Sequence, residues 1–302
     1  MNVSSLTNGI DKVKWQMINL VNAAPFIFLC MWSSGAFFVK TGLDSSSVWS
    51  FLTLRSLGAF VLILIIYIFL KIKNESNRQE SSLSKKNVMV LCLNGLFLQV
   101  LYQSFYFLSI QHDLSVGLVA LVLGLQPLIT PIFSGERIKI NGVLFLLIAF
   151  LGLFIALFGS KDFSSFSWSG LAFATCAVLA ITVGSAYQKK IEVNPLDSAL
   201  VQNALASIVF VLVVYFSGWD VTWNLSFFVS LFWMITVVST GALLLLFYMI
   251  RQGSVNKVSS LFYFVPIVTM LFDYLVFNTP MPSMTILGSL MILISVLLYR
   301  RC

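Results

Sequence analysis

Long apolar runs recur along the whole chain, and they constrain its fold more than any other feature. Their approximate positions are 20–41, 48–70, 88–110, 114–133, 140–159, 168–188, 195–217, 225–250, 255–277 and 283–299. A helix needs roughly 20 mostly apolar residues to cross a bilayer, and each run has about that length. The sequence therefore predicts an all-α integral membrane protein with ten transmembrane helices. Only 10% of the residues are charged, against about 25% in soluble domains, which excludes a soluble enzyme of this length.

Basic residues are distributed unevenly between the two sides of these predicted spans. If the N-terminus is cytoplasmic, Lys40 and Lys161 face outward, Arg55 lies within a span, and the other fifteen of the 18 Lys and Arg residues lie inside. Because short cytoplasmic loops collect Lys and Arg, we predict that residues 1–19, the loop Lys71–Asn87 and the C-terminus are cytoplasmic. The net charge of +7 then reflects orientation in a lipid bilayer, and nucleic acid is not expected as a partner.

The two halves of the chain resemble each other. In the clearest match, Ser115–Pro127 aligns without gaps with Ser254–Pro266, a shift of 139 residues (254 minus 115). Weaker matches in the same order pair Gly35–Lys40 with Gly184–Lys189 and Val48–Arg55 with Pro195–Gln202. We interpret this pattern as a duplication, with five-span repeats at 20–160 and 161–302. Because five spans cross the membrane an odd number of times, the second copy is predicted to be inverted, as in many transporters.

The chain lacks the residue patterns of common enzyme and metal sites. His112 is the only histidine, the four cysteines form no CxxC pair, and no GxxxxGK or HExxH motif is present, so we predict no metal, no cofactor and no catalytic residue. The leading hypothesis is transport of a small-molecule substrate. One alternative is a membrane assembly or lipid-handling protein, which would need long amphipathic or soluble segments. Another is an intramembrane enzyme, which would need clustered nucleophile, base or metal ligands.

Pro127 and Pro266 occupy equivalent places in the two repeats. Proline removes one backbone donor and blocks the carbonyl group four residues earlier. In lipid, an interrupted helix is tolerated where it faces protein or a water-filled cavity, and paired interruptions point to a transporter's binding site. We therefore predict helix breaks beside the site at both prolines, with a packing kink as the alternative.

Polar and aromatic side chains within the spans predict a cavity wall. Because polar groups are costly against lipid, Gln103, Gln126 and Tyr263 should face the interior of the bundle. Trp32 is suited to an aromatic cavity wall, and Tyr187 lies at the end of the sixth span. We predict that these five side chains line one substrate cavity. The alternative for each is packing or hydrogen bonding between helices.

Arg55 and Asp273 are the only charges well inside the apolar runs. At about 1.5 Å per helical residue, both lie in the outer third of a hydrocarbon core roughly 30 Å thick. A pair between them would offset part of the cost of burial and close the outer side of the cavity. Asp273 is also the one carboxylate deep enough to carry a coupling proton. We predict a gating or proton-coupling role for both residues, whereas in the alternative Arg55 snorkels to outer headgroups.

Four segments resemble the EamA type of the drug/metabolite transporter superfamily, namely MWSSGAFFVKTGL, FLTLRSLGAFVL, GLVALVLGLQPLITPIFSGERI and SSLFYFVPIVTMLFDYLVF. The resemblance extends from about Asn22 to Arg301. It implies a multi-pass carrier in the cell inner (plasma) membrane, often an exporter of amino acids or related metabolites, with spans 1, 3, 4, 6, 8 and 9 around a central cavity. The substrate and the choice between monomer and homodimer stay open. In the second half, the position corresponding to Glu136 is near Thr279, so the acidic loop residue customary in the family is absent there.

Overall fold

The structure, a computed structural model, describes residues 3–73, 84–160, 166–277 and 282–302. Within these ranges every regular element is a helix, and one isolated β-bridge joins Ser46 to Val221. The helices are, in chain order, α1 (Val3–Leu43), α2 (Val48–Lys73), α3 (Lys85–Gln111), α4 (Val116–Ser134), α5 (Ile140–Ser160), α6 (Trp168–Lys189), α7 (Pro195–Ser217), α8 (Leu225–Gln252), α9 (255–277) and α10 (Ser283–Tyr299).

In the part of the chain that the structure describes, eight helices are long and apolar enough to cross a membrane. They are α1, through its part Ala23–Leu43, and α2 to α8. The described parts of α9 and α10 contain shorter apolar stretches, Val255–Leu271 and Ser283–Tyr299. The all-helical class is thus confirmed for the described residues, whereas ten membrane crossings stay a prediction. Helix α1 begins at Val3, so most of the predicted segment 1–19 continues the first helix.

Large apolar side chains cover the outside of the bundle, and many polar side chains are buried inside it. Tyr215 and Phe216 are 80% and 83% exposed, whereas Asn94, Gln99 and Gln202 are almost completely buried. Lipid tails offer no hydrogen bonds, so a chain that spans a bilayer exposes apolar groups and pairs its polar groups internally. The exposed surface is typical of a membrane protein.

Two helix pairs pack closely through small residues. A side chain at Gly288 of α10 would clash with the carbonyl oxygen of Gly152 and the amide of Ala156 in α5, and Thr285 Oγ1 donates a hydrogen bond of 2.9 Å to Ala156 O. In the same manner, Thr53 Oγ1 of α2 donates to Phe210 O of α7 at 3.0 Å. Small residues and hydroxyl groups hold helices together where lipid removes the hydrophobic driving force.

Helices that correspond in the two repeats deviate from α-geometry at corresponding places. In the third helix of each repeat there is a π-helical stretch, Leu96–Leu101 in α3 and Met234–Ala242 in α8. In the fourth helix the deviation precedes the proline, as a turn at 124–125 in α4 and a 3₁₀ stretch at Ser260–Phe264 in α9. Three of these stretches, those in α3, α8 and α9, contribute side chains to the cavity described below.

Candidate functional site

A cavity of about 340 Å³ extends from the middle of the bundle towards the end at which α1 and α3 finish. Its walls come from α1, α3, α4, α6, α8 and α9, the six helices that the resemblance implied, with Arg55 from α2 and Leu157 from α5. The exposed side chains of Phe37 and Lys40 lie at its open end. On the predicted topology this end faces outward.

Aromatic side chains form a continuous wall on one side of the cavity. The ring of Trp32 lies 5.5 Å from that of Phe262 and 6.4 Å from that of Tyr102, to which it is nearly parallel. The ring centre of Tyr102 lies 6.0 Å from that of Tyr106, and the ring centre of Tyr106 lies 6.0 Å from that of Phe107. Because aromatic pairs at such distances pack favourably, the wall is a packed surface and not a set of separate rings.

Arg55 lies at the end of this aromatic wall. Its guanidinium carbon lies 5.6 Å from the centre of the Phe107 ring, and its Nε donates a hydrogen bond of 2.6 Å to Ser239 Oγ. Ser239 belongs to the π-helical stretch of α8, and Gln99 belongs to that of α3. Gln99 Oε1 accepts a hydrogen bond of 2.6 Å from Gln103 Nε2. Short π-helical stretches inside α-helices occur frequently at functional sites, and here they carry polar side chains to the cavity.

The proline of α9 explains the local geometry of that helix. Pro266 has no N–H group, so the carbonyl of Phe262 cannot receive the usual donor four residues later. The Val265 N–H bonds to Phe262 O instead, which gives the tighter 3₁₀ stretch. Both Phe262 and Pro266 line the cavity. In α4, Pro127 lies at the start of the second helical segment, Gln126–Ser134.

At the opposite end, the Glu136 carboxylate caps the first turn of α9. It accepts hydrogen bonds from Ser254 Oγ, from Val255 N at 3.0 Å and from Asn256 N at 3.2 Å. Gly135 permits this approach because it ends α4 with a φ of 70°, a left-handed conformation that favours glycine. The first N–H groups of a helix have no partner within the helix and attract negative charge. We call this contact the Glu136 clasp; it joins the predicted first repeat to the second.

A buried amide network also links the predicted repeats at that end. Gln188 Oε1 of α6 accepts hydrogen bonds of 2.8 Å from both Asn94 Nδ2 of α3 and Gln202 Nε2 of α7. Beside it, Lys189 Nζ donates 2.6 Å and 3.2 Å bonds to the carbonyl oxygens of Gly253 and Arg251. Polar contacts of this kind close the end of the bundle to which the cavity does not extend.

The sequence-predicted residues separate into two groups. Trp32, Gln103, Arg55 and Pro266 line the cavity. Gln126, Tyr187, Tyr263 and Pro127 do not. The side chain of Asp273 lies outside the described residues, so its pair with Arg55 stays a prediction.

Geometry explains each residue that lies away from the cavity. Tyr263 is completely buried and packs against α5, where its Oη donates a hydrogen bond of 3.0 Å to Leu146 O, whereas the preceding residue, Phe262, lines the cavity. Tyr187 lies six residues beyond Ile181, the α6 residue that lines the cavity, and beside Lys190. Gln126 and Pro127 lie past the turn in α4 and are buried.

The predicted set of site residues left out several residues that contribute to the site. Gln99, Tyr102, Ser239 and Thr269 line the cavity, and Glu136 forms the clasp. The signal for Gln99 was its position one helical turn from Gln103. For Ser239 nothing in the local sequence distinguishes it from other hydroxyl groups in apolar runs.

The comparisons with known proteins agree with this architecture. The model of the EamA-like transporter family matches residues 22–158 and 168–301. One solved crystal structure, titled only as that of a protein, has a TM-score of 0.73 and 17% identity, and the match covers 94% of this chain and 98% of that one. No curated protein matches the sequence. The identity is low enough that the solved structure supports the fold alone. The family match spans nearly the whole chain in two repeats, and the chain therefore belongs to the EamA-like transporter family.

Proposed function

We propose that this protein is a secondary or facilitated transporter that exports a small metabolite, such as an amino acid, across the inner membrane by alternating access. The observation that carries the proposal is the unequal closure of the bundle. A cavity of transport-compatible size, about 340 Å³, extends to one end, and hydrogen bonds between the repeats close the other. Ligand sites commonly have about 300–1,000 Å³.

The proposed cycle exchanges the states of the two ends. Ten spans arranged as two inverted repeats, 20–160 and 161–302, would allow each repeat to adopt the conformation of the other. The cavity would then extend to the cytoplasmic end after the Glu136 clasp breaks. The close similarity of the Ser115 and Ser254 turns supports this exchange, because each serine Oγ accepts a 3.4 Å bond from the N–H three residues later.

Transport in everted membrane vesicles with a panel of labelled metabolites tests the proposal. Vesicles that contain the protein should accumulate at least one metabolite faster than vesicles that contain the Trp32→Ala variant at equal abundance, because Trp32 lines the cavity. Equal accumulation of every metabolite with and without the protein would contradict it.

The proposed topology has its own test. Both termini are cytoplasmic in the ten-span arrangement. A reporter that functions only in the cytoplasm should therefore be active when it is fused after Arg301, and a reporter that functions only outside should be inactive there. A reporter at that position that is active only outside would contradict the ten-span arrangement.

A further inference from the structure

In the described lining of the cavity, all charged groups have the same sign. Among its described lining residues, Arg55 and Lys40 are basic and none is acidic. The remaining lining is mostly apolar, with uncharged polar groups such as Gln99 and Gln103. A cavity of this composition attracts an anion and repels a cation.

Arg55 is buried without a carboxylate partner in the described part of the chain. It is only 7% exposed yet lines the cavity, and its hydrogen bond goes through Nε to the neutral Ser239. A buried cation is costly unless an opposite charge compensates it. The guanidinium has five N–H donors in a planar fork, and the bond to Ser239 uses one of them. A ligand carboxylate would compensate this charge, in place of the pair with Asp273 that the sequence predicts, and would accept two parallel hydrogen bonds.

The aromatic wall determines which side chains the rest of such a ligand would contact. It runs from Phe107, beside Arg55, through Tyr106 and Tyr102 to Trp32. A molecule that places its anionic group at Arg55 would therefore lay an apolar portion against rings. The ammonium group of a zwitterion would find no carboxylate in the described lining.

We propose that Arg55 binds the carboxylate of the substrate, and that the preferred substrate is a small organic acid with a net negative charge and an apolar portion. This inference rests on the proposed transport function and narrows its substrate class, from small metabolites that include zwitterionic amino acids to organic acids with a net negative charge.

Four ligands with the same phenyl ring test the proposal in the purified full-length protein. Phenylpropionate is an anion, phenylpropionamide is its neutral isostere, phenylalanine is a zwitterion and phenylpropylamine is a cation. We expect phenylpropionate to bind at least about tenfold more tightly than each of the other three, as hydrogen bonds to a charged group predict. Dissociation constants from calorimetry give the comparison.

Substitutions then assign the preference to Arg55. Arg55→Gln should bind the acid and the amide equally, whereas Arg55→Lys should keep part of the preference because it keeps the charge without the planar fork. Lys40→Gln tests the other basic residue of the lining, which is exposed at the open end of the cavity, and its loss should change the preference less than about threefold because solvent screens it. Lys73→Gln is the matched control, because this exposed lysine belongs to the same helix as Arg55 but does not line the cavity; it should leave the preference unchanged. If Arg55→Gln does not fold, the same dissociation constants are measured for Arg55→Lys and for Ser239→Ala, which keeps the charge of Arg55.

Several results would overturn the inference. They are the absence of phenylpropionate binding to the unsubstituted protein, equal binding of acid and amide, and loss of the preference in Lys40→Gln but not in Arg55→Gln. Flux in proteoliposomes separates this inference from the transport function. Arg55-dependent binding of the acid without flux of any metabolite would support the anion site but contradict the transport function. Flux of a neutral or cationic metabolite that Arg55→Gln does not alter would support the transport function but overturn the anion site.

Discussion

The turns before α4 and α9 have the same local structure but different surroundings. Ser115 and Ser254 cap these two helices through bonds of equal length. At the start of α4, Val116 and Gly117 line the cavity, whereas at the start of α9 the Glu136 carboxylate covers the backbone amides. The difference teaches that closure of one end does not arise from the helix cap itself. At the start of α9 this cover comes from Glu136, an acidic loop residue of the first repeat; the corresponding position of the second repeat, near Thr279, lies outside the described residues.

Removal of the Glu136 carboxylate should have the largest effect on this asymmetry. Glu136→Ala loses hydrogen bonds to a charged group, each worth about 1.5–3 kcal/mol, so we expect a roughly ten- to hundredfold shift towards cytoplasmic opening. The measurement is the labelling rate of Gln126→Cys from the cytoplasmic side, after the native cysteines are replaced. Glu192→Gln, an exposed acid that follows α6, is the control. An unchanged labelling rate in Glu136→Ala would show that the clasp does not hold this end closed.

Substitution of the central amide at the closed end should have the next largest effect. Gln188→Leu leaves the buried amides of Asn94 and Gln202 without their acceptor, which costs about 1–3 kcal/mol for each unsatisfied group. Thermal unfolding in detergent should show a clearly lower Tm than for the unsubstituted protein. An unchanged Tm would mean that the amide network does not stabilise the closed end.

The serine cap of α9 should contribute more than an ordinary N-cap. Ser254→Ala should lower the free energy of unfolding by more than the roughly 1 kcal/mol that is the usual loss of an N-cap, because this hydroxyl also donates to Glu136. In a Glu136→Ala background the same substitution should cost only the ordinary cap. Chemical denaturation in both backgrounds gives the comparison, and equal losses would indicate that the Ser254 contact with the carboxylate adds no stability.

Gln126→Leu should have the smallest effect on stability. Gln126 is 1% exposed, and neither of its amide atoms has a hydrogen-bond partner in the described part of the chain. Leucine has a similar size and no polar group to satisfy, so we expect a Tm that is unchanged or higher. We expect slower transport in this variant, because the amide of Gln126, which has no partner in the described part of this state, would form hydrogen bonds in the state that opens to the cytoplasm. Faster or equal transport would contradict a role in the cycle.

Sequence patterns predicted the features that depend on local composition. The apolar runs give the helices, and the two prolines lie where α4 and α9 are irregular. The prediction that Tyr263 lines the cavity rested on the cost of a polar group against lipid, and in the structure its hydroxyl group is satisfied by Leu146 O of α5. A polar side chain in an apolar run therefore predicts contact with protein, but it does not say whether that contact is with a cavity or with a neighbouring helix.

Contacts between distant segments could not be predicted from the sequence. The partners of Gln188 are 94 and 14 residues away, and the Glu136 clasp joins residues 118 to 120 positions apart. Many polar residues occur in the apolar runs, and only the packing of the helices decides which of them meet. The family resemblance indicated Glu136 as a customary residue without indicating its partner.

A reversible crosslink across the closed end tests the central claim most directly. Ser134 Oγ and Asn256 Oδ1 lie 3.3 Å apart beside the Glu136 clasp, so cysteines at both positions, in a protein without its native cysteines, should form a disulfide on oxidation. The account predicts that oxidation of the double variant stops transport, that reductant restores it, and that neither single cysteine variant responds. Full transport by a protein in which the crosslink has formed completely would contradict alternating access through this end.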